Sequence, residues 1–374
     1  MMFGFLHILH FLLIIQPLVF ALQLFVYKSS NSKAARVLGI LMIVVSAFYF
    51  TTGGVFLVEI GLEWFTSNFV YSFLLLTNPL FYLYVRALTV PHFKINKKEA
   101  LHLLPALVFL PLGILGSNTE LLRMETVRLI STSLYILQFV IYVVLMIVLL
   151  IRHSSNIKYY FSFTEGVTLN WLKVFVGFYI VISVLDILVF FMESTSAWQL
   201  FYYVLMVFFF NFLGFFGVYQ PDIYDVSVDN TLDEDESILE DDLIESEDDL
   251  KLGLRTEKKD ALLADILDLM EIEKLFLNNK LSIFELSRKL NVNKSYISRV
   301  INEVRHENFS AFINRYRIEE SKLFFQSNDY ANYTIEGVAH SVGFNSKASF
   351  NTYFKKFTGM TPSQYKQSLR NEKS

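Results

Sequence analysis

The chain has no cysteine, which excludes disulfides and thiolate metal sites. It also has no glycine-rich phosphate loop, nucleophile elbow or kinase signature. No catalytic residue, cofactor or metal centre is therefore expected, and the function is not that of an enzyme. His7 and His10 stand three apart on one helix face, but an interfacial pair is the favoured reading over a metal site. His102 adds no ligand spacing to them. Basic residues are missing altogether from 220–250, a stretch with 14 acids. The net charge of −4 conceals that asymmetry. Residues 1–219 carry 12 Lys/Arg against 8 Asp/Glu, and residues 251–374 carry 20 against 14. The charge pattern predicts three regions: an apolar part at 1–220, an acidic flexible linker at 221–256 and a basic module at 257–374.

The apolar part is rich in aromatics; the whole chain has 38 Phe and 20 Tyr, unusual for a soluble protein of 374 residues. Seven apolar segments lie near 5–26, 35–58, 65–88, 101–116, 129–151, 170–192 and 198–219. Most reach the ~20 residues that span a hydrocarbon core. The fourth is the shortest and holds Pro105, Pro111 and Gly113, which suit a tilted, kinked or re-entrant segment. The first has no basic n-region and a long apolar run, so it reads as a retained span and not a signal peptide. Ten bases fall on the odd loops, among them Lys28, Arg86, Lys97 and Arg152, against two on the even loops, Arg123 and Arg128. That bias puts the odd loops in the cytoplasm, the N-terminus outside and the C-terminus inside, in an inner-membrane multi-pass protein. Asp186 is the one acid well inside a span and is the candidate for intramembrane signal sensing; the alternative is a protonated side chain bonded to another helix. Gln16, Gln23, Asn78, Gln138 and Asn211 are expected to bond between helices. Trp64, Trp171 and Trp198 sit near span ends, as interfacial aromatics do.

The basic module contains two helix-turn-helix patterns, at about 281–303 and 333–358. In the second, Ile335, Val338 and Ala339 have helical spacing, Gly343 supplies the turn, and a further helix starts near Ser346. That helix turns Phe350, Phe354 and Phe357 inward and leaves Ser346, Lys347, Ser349, Asn351, Thr352, Lys355 and Lys356 as DNA-contacting chemistry. In the first, Ser282 and Glu285 have capping-box spacing, and Asn291 takes the turn position. Ile297, Val300 and Ile301 then face inward, while Asn293, Lys294, Ser295, Tyr296, Ser298, Arg299 and Asn302 are left for DNA. Ahead of both, Leu262, Leu263, Ile266, Leu269, Met270 and Ile272 recur at helical spacing between Lys258 and Asn278. That helix is expected to pack on its own module or to pair with a second copy. An ordinary small helical domain with a basic face remains the plainer alternative from composition alone.

The wording GFNSKASFNTYFKKFTGMTPSQY resembles the second helix-turn-helix of AraC/XylS-type transcription regulators. Residues 309–325 resemble that family's connecting helix, ~25 Å long at 1.5 Å per residue. Such a helix would set two recognition helices into successive major grooves. The resemblance covers roughly 270–367 and, with the apolar part, is closest to the membrane-bound type. It departs from the family at Asn308, where glycine is usual, and at Lys366, where arginine is usual. It implies an all-α, homeodomain-like double helix-turn-helix behind a bundle of about seven transmembrane helices. Its implied partners are double-stranded promoter DNA, the lipid bilayer, RNA polymerase, a second copy in a homodimer, and an unidentified signal ligand. Arg315, Arg317 and Lys322 are placed for phosphates. The competing reading is a membrane receptor or transporter whose C-terminal helices bind a protein.

Overall fold

The computed structural model describes residues 2–26, 32–52, 63–90, 93–109, 124–191, 196–220, 223, 249–327 and 333–372. Among them the chain is all-α, with one isolated antiparallel bridge, Phe161 to Ser282, as its only β-type pairing. The chain divides into two compact units: Met1–His153 with Leu169–Asp225, and Ser154–Thr168 with Val226–Ser374.

The first unit contains α1 (Met2–Val26), α2 (Ser32–Thr52), α3 (Glu63–Thr89), most of α4 (Met124–Tyr160), α5 (Asn170–Phe191) and α6 (Ser196–Tyr219). Helix α2 packs between α1 and α3, and α6 packs on α1. Leu13, Leu38, Met42 and Leu75 are fully enclosed, while Phe11, Leu22, Leu129, Ile151 and Phe208 are exposed. Apolar side chains thus lie on the outside of these helices as well as between them. Four helical stretches are long and apolar enough to cross a bilayer: Gly4–Val26, Lys33–Thr52, Leu129–Tyr160 and Ala197–Tyr219. Asn170–Leu185 is a shorter apolar helix, and α3 coincides with the third expected segment. Of the fourth, residues 101–109 are helical and the remainder lies outside the described residues.

The polar side chains of this unit bond as expected only in part. Asn78 donates to the Tyr135 carbonyl and accepts from the Tyr179 hydroxyl, and Gln16 donates to the Val207 carbonyl, 3.4 Å away. Asn211 instead bonds within its own helix, to the Val207 carbonyl. Gln138 is buried with neither amide atom paired among the described residues. His10 hydrogen-bonds to the Tyr49 carbonyl, at 2.9 Å. Asp186 falls in α5, but its side chain is outside the described residues.

The second unit is built from α7 (Asp249–Glu271), α8 (Ile283–Leu290), α9 (Lys294–Arg305), α10 (Phe309–Gln326), α11 (Ile335–Ser341), α12 (Lys347–Thr358) and α13 (Pro362–Glu372). Helix α7 begins ahead of the expected module boundary at 257, within the stretch read as linker. It buries Leu262, Ile266, Leu269 and Met270, but Ile272 lies past its end and is 77% exposed. The rest of the acidic stretch, 224–248, lies outside the described residues. Helix α10 is the central beam, touching α9, α11, α12 and α13.

Candidate nucleic-acid interface

Each motif is a short helix, a tight turn and a longer reader. In the first, α8 ends at Asn291, which takes φ +52°, and α9 follows. In the second, α11 runs into Gly343 at φ +93°, and α12 follows. Glycine is required there for space as well as for angle. A Cβ on Gly343 would lie 2.8 Å from the carbonyl oxygens of both Phe276 and Leu277.

The readers begin with side-chain caps. Asn293 accepts the Ser295 amide at 2.8 Å, and Ser346 accepts the Ser349 amide at 3.2 Å. Ile297, Val300 and Ile301 are buried under α9, and Phe350 and Phe354 under α12. Phe357 is only half-buried, packed beside Tyr353. These buried stripes fix the face that each reader presents. Ser295, Arg299 and Asn302 are exposed on α9, with Asn293, Lys294, Tyr296 and Ser298 half-buried. Lys347, Thr352, Lys355 and Lys356 are exposed on α12, with Ser346, Ser349 and Asn351 half-buried. The Arg299 guanidinium lies 5.1 Å from the Tyr296 ring centre, and the Lys356 ammonium 5.4 Å from that of Phe357. Aromatic backing orders these cations without neutralising them.

Three details depart from the sequence reading. Ser282 starts α8 but makes no side-chain cap; Glu285 accepts instead from Asn278 Nδ2, at 3.1 and 3.2 Å, so no capping box forms. Asn308, where the resemblance would put glycine, is the extended N-cap of α10, accepting the Ala311 amide at 2.9 Å. The left-handed position lies two residues earlier, at His306, with φ +53°. Arg317 does not reach phosphate, because it is 1% exposed.

Arg317 is instead an internal clasp. Its Nε donates to the Phe276 carbonyl at 2.7 Å and its Nη2 to the Asn278 carbonyl, also at 2.7 Å. Its Nη1 donates to Asn314 Oδ1 at 3.1 Å. Burial pulls its pKa down to about 9, against the opposing pull of Tyr353 and Glu165, and this still leaves it charged at neutral pH. Arg315 and Lys322 are also engaged, in ion pairs with Glu307 and Glu319. The sequence reading missed a further participant: the loop after α4 belongs to this unit, and its Glu165 reaches Ser346 and Ser349.

A family profile described as "Helix-turn-helix domain" matches residues 286–368. An uncharacterized HTH-type transcriptional regulator of Staphylococcus aureus (strain MSSA476) is 38% identical over 92 residues, 25% of this chain and 12% of that protein. The uncharacterized HTH-type transcriptional regulator YtdP of Bacillus subtilis (strain 168) is 27% identical over the same length. The chain thus spans 12% of the length of these relatives. The C-terminal domain of AraT, a response regulator from Geobacillus stearothermophilus, is 29% identical, with 26% of this chain and 78% of that one covered at a TM-score of 0.24. The C-terminal part of the chain carries an AraC-type helix-turn-helix domain.

Proposed function

We propose that this protein is a membrane-embedded transcription regulator that binds promoter DNA through α9 and α12. The observation that carries the reading is the pair of capped readers on either side of the rigid helix α10, each with a buried apolar stripe and an exposed polar and basic face. Asn293, Ser295, Tyr296, Arg299, Lys347, Ser349, Asn351 and Thr352 are assigned to base edges, and Lys294, Lys355 and Lys356 to phosphates. Ser298, Asn302 and Ser346 complete the interface. No step of this activity requires catalysis or a cofactor.

The seven-span count, the inner-membrane location and the outside N-terminus rest on apolar length and loop charge. A cytoplasmic C-terminus then puts the readers on the chromosome's side of the bilayer, where they would act with RNA polymerase, singly or as a homodimer. The sensing role falls to the helical bundle, through Asp186 or through a cavity of about 270 Å³ lined by Tyr49, Phe81, Tyr135, Tyr179, Tyr202 and Phe210. Ring faces and phenol hydroxyls suit an apolar ligand with a hydrogen-bonding end. The acidic stretch is a spacer that also competes with DNA for the basic module.

Full-length protein in lipid nanodiscs tests the reading. Its affinity for a mixed-sequence duplex should fall steeply with salt, and mapping of bound promoters in cells should return discrete sites. A salt-independent or absent affinity refutes it. A reporter fused after Ser374 that lies outside the cell would refute the orientation.

A further inference from the structure

The loop between α4 and α5 is bound across the DNA-binding unit at three points. At the first motif, the Ser162 N–H and hydroxyl both donate to the Leu281 carbonyl, at 3.2 and 2.7 Å. The Tyr160 and Phe161 rings lie 5.6 and 5.9 Å from that of Phe284. At α10, Asn314 Nδ2 and Arg317 Nη1 donate to the Ser162 carbonyl at 2.8 and 3.3 Å, and Arg317 Nη2 donates to the Ser162 hydroxyl at 3.0 Å. At the start of α12, Glu165 Oε1 accepts from the hydroxyls of Ser346 and Ser349, at 2.5 and 2.7 Å. Thr164 Oγ1 lies 3.4 Å from the Ser349 hydroxyl.

The third point falls on residues assigned to DNA. The positive end of a helix dipole favours an anionic oxygen, and the two serine hydroxyls at the start of α12 can donate to one. Here a carboxylate already holds both hydroxyls. Burial raises the Glu165 pKa, but hydrogen bonds from Ser346, Ser349 and the backbone outweigh burial and hold it below the ordinary carboxylate range. The group is therefore anionic at neutral pH and repels an arriving phosphate.

We infer that residues 161–167 are an intrachain occupant of the DNA-reading face, with Glu165 holding the Ser346 and Ser349 hydroxyls that DNA would otherwise meet, so that loop and DNA compete for α12. The inference rests on the proposed DNA-binding role of α12. The loop is also continuous in the chain with the apolar helices. The loop is tethered at both ends, to α4 and α5, and a signal that changes the spacing of those ends withdraws Glu165 from the serines. Such a signal need only bind the withdrawn state more tightly than the docked one.

Two measurements on the full chain in nanodiscs test this. Glu165→Ala removes the carboxylate, and Glu165→Gln removes its charge but keeps an acceptor. Affinity for a mixed-sequence duplex should rise about tenfold for the first, within the usual range of coupling between sites, and less for the second. Unchanged affinity in both variants, with salt-dependent binding intact, overturns the competition and leaves the DNA-binding reading standing. If neither variant nor the parent binds in a salt-dependent way, the DNA-binding reading itself falls. Because the chain has no native cysteine, the pair Thr164→Cys and Ser349→Cys can form only one intramolecular disulfide. Oxidation should cross-link the loop to α12 and weaken binding relative to the same protein reduced, with Ser349→Cys alone as the control. Failure to cross-link in membranes, or equal binding by the oxidised and reduced forms, overturns the inference.

Discussion

The two helix-turn-helix motifs have the same plan and different interiors. The first closes its turn with Asn291 and packs α9 through Ile297, Val300 and Ile301. The second closes with Gly343 and packs α12 through a ring cluster of Phe344, Phe350, Phe354 and Tyr365. Their reading ends differ too. Among the described residues no acidic side chain bonds to the cap of α9, whereas Glu165 holds the cap of α12. Similar backbone geometry therefore does not imply similar availability: a carboxylate holds the cap of the second reader and, among the described residues, none holds that of the first.

The interiors can be separated by core truncation, where the largest effect is expected. Phe354 is fully buried, and Phe354→Ala should destabilise the C-terminal unit by about 3–5 kcal/mol. Ile297→Val, equally buried, should cost about 1 kcal/mol. Hydrogen exchange followed by mass spectrometry over 281–372 would read both. Equal loss of protection in the two variants would remove the claimed difference. The turns offer a second separation. Gly343→Ala imposes both a left-handed strain and a clash with two carbonyls, about 2–4 kcal/mol together. Asn291→Ala carries only the strain, about 1 kcal/mol. If the two substitutions cost the same, Gly343 is not held by its contact with Phe276 and Leu277.

How much of this was legible in the sequence depends on the range of the interaction. The turn residues Asn291 and Gly343 and the buried faces of α9 and α12 are set by neighbours three or four residues away, and helical spacing revealed them; Asn293 and Ser346 were read as DNA contacts and turn out to be caps as well. Arg317 was misread because an arginine on a charged helix normally faces water. A local signal existed: it sits on a ladder of four with Phe309, Ile313 and Ser321, all buried. Its carbonyl partners at 276 and 278 lie some forty positions earlier and leave no mark on that spacing. The Glu165 contact is more distant still, 181 residues from Ser346 along the chain. Loop charge marks that loop only as one of the basic ones, and nothing in a one-dimensional pattern pairs it with α12.

At the DNA itself, the two readers are expected to contribute comparably once both are free. Arg299→Ala and Asn351→Ala should each cost ~1–3 kcal/mol on a cognate promoter fragment and relax sequence choice. Equal losses on cognate and mixed-sequence DNA would move these residues from base edges to phosphates. A loss for Arg299→Ala with none for Asn351→Ala would leave only the first motif reading sequence.

The smallest effect is the most discriminating. Removing one phosphate-contacting lysine lowers the salt slope of binding by about 1. Lys355 stands exposed on α12, the reader whose cap Glu165 holds, and Lys294 begins α9, whose cap bonds to no carboxylate among the described residues. If the docked loop keeps α12 off the duplex, Lys294→Ala in the parent chain should lower the slope while Lys355→Ala changes it little. In the Glu165→Ala background both should lower it. The dependence of Lys355 on Glu165 is then a coupling between groups on different elements, read from four slopes in a double-mutant cycle. If Lys355→Ala has the same effect with and without Glu165, both readers were already on DNA and the occupancy difference between the motifs has no functional consequence.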